Sequence, residues 1–200
     1  MIRKIKSKDN NVNIIWDDTS SVAKVFVKNQ ETAVQLSGIN PRLFGKGTKF
    51  RVGVYQSLSN IADSLARVSK YLDSNPAGTI SVLQYGDLPD NMSGSYENYG
   101  GSVVVDPNKY PSHHRQYHGM KVYKDAMRDN TLLHELTHSQ DFASKDPDMA
   151  EVVANQRTMR YLNDRISETP LNMEKDMYKI LKADDLKLYN NYWKRVGENQ

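Results

Sequence analysis

Cysteine is missing from all 200 residues, which excludes a disulfide framework and any thiolate-ligated metal. Long apolar runs are missing too. Nothing approaches the roughly 18 residues of a membrane span, and the basic opening "MIRKIKSKDNNVNIIW" has no apolar stretch of signal-peptide length. The expected location is therefore cytoplasmic, or outside the cell after release without a cleaved signal, association with a virion included. Charge of one sign is also scarce. The formal net charge is +3 and no five like charges follow one another, so no nucleic-acid partner is expected.

What remains is the composition of an ordinary globular chain, 38% hydrophobic and 26% charged, long enough to bury one core. No repeat or low-complexity linker divides it, so residues 1–200 read as a single domain. Its first 50 residues hold β-branched stretches such as "NVNIIW" and "VAKVFV", and "KFRVGVY" continues them. Leu58, Ile61, Leu65, Val68 and Leu72 then recur at helical spacing, and "NPAG" closes that helix. "TISVLQYG" reads as a strand and "SYENYGGSVVVDP" as a further strand or hairpin. A helix is expected over about 122–143, a second over about 149–166 capped by Asp148, and one or two more within 171–196. Strands with one helix, then helices only, predict an α+β fold with a small mixed sheet.

The chemistry concentrates in "TLLHELTHSQDF". His134 and His138 stand four residues apart, so on a helix their rings leave one face a turn apart and can grip one Zn2+. Glu135 points aside, where a carboxylate takes a proton from the attacking water instead of binding the metal. Uncharged neighbours surround the motif, and two of only five histidines fall within it.

A catalytic zinc needs a third protein ligand and an open position. Asp141, Asp146, Asp148, Glu151 and Glu168 lie downstream. Asp146 and Asp148 flank Pro147 and suit a turn and a cap. Glu151 opens the next helix after a short reversal and is the favoured ligand; Asp141 follows it, as ligand or as a neighbour of the ligands. Asn155, one turn beyond Glu151, suits a hydrogen bond to the outer nitrogen of a ligand histidine. His113, His114 and His118 form a second group; a separate zinc site is the alternative there, but without cysteine or an acidic cluster nearby to complete it the group reads as a polar surface loop beside the cleft.

"HELTHSQDF" followed by "AEVVANQRTMRYL" resembles the gluzincins, zinc metallopeptidases with an H-E-x-x-H helix and a glutamate on a second helix. Locally it is similar to the catalytic domain of anthrax-lethal-factor-type toxins, and its E-x-x-A-N stretch to phage-repressor-cleaving and radiation-response metallopeptidases. The resemblance covers about residues 55–166, which become the catalytic core, with N-terminal strands before it and C-terminal helices over 167–200. It implies a zincin-like fold, with an edge strand above the H-E-x-x-H helix and extended substrate pairing along residues 95–105. It also implies His134, His138 and Glu151 as zinc ligands and Glu135 as general base. Departures exist. The interval from His138 to Glu151 is short, Gln140 replaces an apolar residue, and Ser144 stands where the lethal-factor pattern has tyrosine. The oxyanion-stabilising role is thereby left open among His118, Tyr117, Tyr110 and Tyr123.

The function expected is hydrolysis of peptide bonds by one zinc ion, with a protein or peptide as substrate. The alternative is a non-enzymatic structural or binding module, for instance in a virion or secretion assembly.

Overall fold

The computed structural model describes the backbone of residues 2–6, 12–17, 22–27, 30–32, 60, 63–72, 82–85, 94–97, 102–105, 110–138 and 146–198, with side chains at 60, 63–68, 70–72, 94, 110–138 and 146–198. Backbone pairing defines two sheets. Strands β1 (Ile2–Lys6), β2 (Val12–Asp17), β3 (Val22–Val27) and β4 (Gln30–Thr32) pair in sequence order, each antiparallel to the next. Strands β5 (Val82–Tyr85), β6 (Gly94–Glu97) and β7 (Ser102–Val105) run in the order β5-β7-β6, with β5 parallel and β6 antiparallel to β7.

The body whose packing is described is built otherwise. A short helix, α1 (63–68), runs into a 3-10 turn at Ser69–Tyr71. A second 3-10 turn, Ser112–Tyr117, precedes three long helices: α2 (Lys121–His138), α3 (Pro147–Glu168) and α4 (Asn172–Glu198). This region is 88% helical with no sheet, so it is mostly helical and the α+β expectation is overturned. The physical reason lies in the interior. Leu132, Leu133 and Leu136 of α2, Tyr161 and Leu162 of α3, and Met177, Tyr178 and Leu181 of α4 are all buried. Each large one contributes about 1.5–3 kcal/mol over its exposed state, so helix-on-helix contact holds this region together. Helix α3 lies in the middle, against α2 on one side and α4 on the other.

Helix α2 runs to His138 within the described residues; the rest of its expected span, 139–143, lies outside them, as do "KFRVGVY", Leu58 and Ile61. Helix α3 starts at Pro147 because Asp146, not Asp148, caps it: the Asp146 carboxylate accepts from the backbone N–H groups of Asp148 (3.0 Å) and Met149 (3.3 Å). Proline at the first helical position forfeits no bond, since that N–H has no acceptor anyway. The C-terminal segment is one 27-residue helix. No helix among the described residues is long and apolar enough to cross a membrane.

Asp129 ties α1, α2 and α3 together. Arg67 donates to it through Nε (2.6 Å to Oδ2) and Nη2 (2.8 Å to Oδ1), and Tyr161 adds its hydroxyl to Oδ2 (2.8 Å). Burial, reinforced by the Asp129 charge, holds the Tyr161 phenol well above its ordinary pKa, so it remains a donor. Removing one partner of a buried, paired charge strands the other. Asp129→Ala should therefore destabilise the protein by about 3–5 kcal/mol in a denaturant titration; a loss below about 1 kcal/mol would show that the network is dispensable.

Candidate metal centre

The last two turns of α2 carry the histidines. Thr131, Leu132, Leu133, Glu135, Leu136 and Thr137 around them are buried, while His134 and His138 are partly open. Burial of Thr137 is tolerated because its hydroxyl donates to the Leu133 carbonyl at 2.8 Å. The imidazoles of His134 and His138 lie 4.8 Å apart between ring centres, at 74° to each other. That separation follows from the four-residue spacing on one helical face.

The start of α3 delivers the third group. With Asp146 as cap, Glu151 falls at the beginning of the second turn, and its carboxylate faces the two rings. Oε2 is 3.2 Å from His134 Nε2, and Oε1 is 3.4 Å from His138 Nε2. The three residues each offer one ligand atom within 4.8 Å of the others. A charge-assisted N–H···O bond is usually about 2.7–2.9 Å. Two ligands on one tetrahedral zinc, with bonds of about 2.0–2.2 Å, stand about 3.3–3.5 Å apart. The observed separations, each to a different Glu151 oxygen, are longer than the first spacing and close to the second, and two neutral imidazoles with a carboxylate are an ordinary zinc donor set. The residues fit the ion.

Charge is distributed accordingly. Burial alone would push the His134 imidazole down, but Glu151, with Glu135 and Asp185, outweighs it and holds its pKa above the ordinary value. Burial would raise Glu151, yet the two imidazoles hold it well below the usual carboxylate range. At Glu135 burial prevails over the pull of His134 and His138, so its pKa is raised.

Glu135 does not join the three ligand atoms. Its side chain lies beneath Gly94 at the start of β6. A Cβ added to Gly94 would come within 2.6 Å of both Glu135 Oε1 and Thr131 Cγ2. Only glycine permits this approach.

The remaining candidates are accounted for differently. Asp141 and Ser144 lie outside the described residues. Asp146 caps α3, Asp148 pairs with Arg195 at 3.5 Å, and Glu168 pairs with Arg165 at 3.0 Å. Asn155 is buried, but its Nδ2 donates to the Glu151 backbone carbonyl at 2.8 Å. It thus supports the backbone that carries Glu151, in place of the expected bond to an imidazole. Tyr123 precedes His134 by eleven residues, about 16 Å along the helix, and its hydroxyl is 2.9 Å from His114 Nδ1. His118 stacks on Tyr123, and Tyr110 and Tyr117 pack against it with tilted rings, so this aromatic group gathers at the far end of α2.

Two residues of α4 near the centre escaped sequence reasoning. Asp185 of α4 is buried, accepts from Asn130 Nδ2 at 3.2 Å, and contributes to the field on His134. Burial pushes its pKa up to about 6, against Thr158 and Asn130. A signal existed: Met177, Leu181 and Asp185 recur every four residues, which puts an acid on the buried face. Tyr192, also on α4, lies in the field of Glu151; burial first, then that charge, raises its phenol.

No protein-family model, curated protein or solved structure matches the chain.

Replacing Glu151 by Gln removes the anionic donor while keeping its size. Zinc affinity measured by competition with a chromogenic chelator should fall by about 100-fold or more, beyond the 10–100-fold typical of losing an outer partner. An unchanged affinity would exclude Glu151 from the ligand set.

Proposed function

We propose that the chain is a zinc-dependent peptidase that hydrolyses peptide bonds, with His134, His138 and Glu151 as the zinc ligands and Glu135 as general base. The observation that carries this reading is the convergence of two imidazole nitrogens and one carboxylate at zinc-ligand spacing, from two helices, with a further carboxylate beside them. Three protein ligands leave one tetrahedral position open, which separates catalytic from structural zinc sites.

When bound, zinc supplies Lewis acidity that acidifies water and polarises a carbonyl. The chain supplies the rest. Glu135 offers a carboxylate oxygen that accepts the proton of the attacking water and passes it to the leaving amine. Leu132, Leu133 and Leu136 hold the motif on a rigid helix. Gly94 covers the Glu135 carboxylate, which limits the positions that its oxygens can take and keeps the proton acceptor oriented. The Asp146 cap fixes where α3 begins, and with it the place of Glu151. The resemblance to gluzincins in "HELTH" and in the glutamate of the following helix supports the same assignment.

Glu135→Gln separates binding from turnover. The variant should keep one zinc at this centre and lose peptide cleavage by at least about 1,000-fold, as expected when a general base and its orientation go together. Cleavage of a mixed peptide library by the wild type, followed by mass spectrometry, provides the assay. Full activity in the variant would remove Glu135 from this role, and zinc-loaded wild type without cleavage would favour a binding module.

Gly94→Ala tests the cover. The added methyl must displace Glu135 or Thr131, so activity should drop about 10-fold or more while zinc content stays constant. Loss of both together would mean that Gly94 serves folding alone.

A further inference from the structure

We infer that the chain has a second divalent-cation site, formed by His113 and His114 of the 3-10 turn and Asp184 of α4, which takes Zn2+ and clips the turn to the C-terminal helix. It is independent of the first: its residues come from the opposite end of α2 and from α4.

Three donor atoms converge there. His113 Nε2 is 2.8 Å and His114 Nε2 2.9 Å from the same Asp184 oxygen, Oδ2, and all lie within 4.8 Å of one another. The rings are 4.2 Å apart between centres and inclined at 61°. The backbone is compact because the 3-10 turn begins at Pro111, whose carbonyl accepts from His114 N–H at 3.0 Å.

His114 makes the argument. It is 1% exposed, and its Nδ1 is engaged with the Tyr123 hydroxyl at 2.9 Å. Its Nε2 is buried without a hydrogen bond, although Asp184 Oδ2 is only 2.9 Å away. The carboxylate oxygen therefore lies off the axis along which Nε2 would donate. A buried ring nitrogen without a partner is costly. A cation would resolve the arrangement: His114 Nε2, His113 Nε2 and Asp184 would hold it, and His114 Nδ1–H would donate to Tyr123. An outer partner that fixes the tautomer is the usual companion of a metal-bound histidine.

Without a cation, His113 donates to Asp184 Oδ2 at 2.8 Å. Seating zinc replaces that proton and widens the gaps by about half an ångström, to the 3.3–3.5 Å of shared ligands. Both partners can move, since the His113 side chain is 60% and that of Asp184 40% exposed. Two imidazoles and a single carboxylate favour zinc over magnesium or calcium, which prefer oxygen-only shells. His118 stays outside: its Nε2 donates to the Pro111 carbonyl at 3.1 Å. The expectation of a plain surface loop at 113–118 is corrected, because the turn buries His114 and Tyr117.

Calorimetric titration with zinc chloride, in a His134→Ala background that disables the first centre, tests the site. One equivalent should bind, and thermal stability should rise with zinc because the ion binds only the folded chain. Adding His113→Ala, or separately Asp184→Asn, should weaken that binding by about 100-fold or more and abolish the thermal shift. Both positions are exposed enough to be replaced without opening the core, and circular dichroism verifies the fold. Absence of zinc binding in the His134→Ala protein, or binding indifferent to both further substitutions, would overturn the assignment.

Discussion

Glu151 sets its two oxygens against two different imidazoles, and the packing of α2 on α3 makes this possible. A glutamate can reach two histidines a turn apart only if its helix starts close to where theirs ends. The Asp146 cap and Pro147 determine that start. A cap shifted by one residue would rotate Glu151 by about 100° around α3 and turn its carboxylate away. The candidate centre thus depends on a few hydrogen bonds at one helix terminus, as well as on its own donors.

Energetics follow the same geometry. The histidines and Glu151 are only partly open to water, and Glu135 is almost closed off. In such surroundings charges interact strongly and unpaired ones are costly. Asp185 adds negative charge from α4, so three helices contribute to the field around His134. A divalent cation would offset this concentration of acids. The stabilisation would grow with zinc concentration, by about 2.7 kcal/mol at 100 times the dissociation constant. The adjacent Asp184 belongs to the second histidine group, so the pair "DD" of α4 contacts the middle of α2 through Asn130 and the 3-10 turn before it through His113 and His114.

The local juxtaposition was legible in the sequence because helical periodicity converts spacing into geometry. His134 and His138 share a face for that reason, and a proline-marked reversal was enough to single out Glu151. Global architecture was not legible in the same way. "NVNIIW" and "SVVVDP" have the β-branched character of strands, but strand propensity does not say whether a sheet supplies the core. In the region whose packing is described the helices do, and the α+β expectation failed on that point. The cap slipped from Asp148 to Asp146 because both aspartates flank the proline, and only backbone geometry distinguishes them. Asp184 and Gly94 were missed for another reason: Asp184 acts across 70 residues of sequence from His114, and Gly94 acts by having no side chain. Neither leaves a local pattern.

The central claim is that His134, His138 and Glu151 hold one zinc ion. Zinc K-edge absorption on the His113→Ala protein, in which the second group cannot compete, tests it most directly. The account predicts one zinc per chain with two imidazole nitrogens in its inner shell and the remaining ligands oxygen, at about 2.0–2.2 Å. A spectrum without imidazole scattering, or a chain that retains no zinc at micromolar concentration, would contradict it.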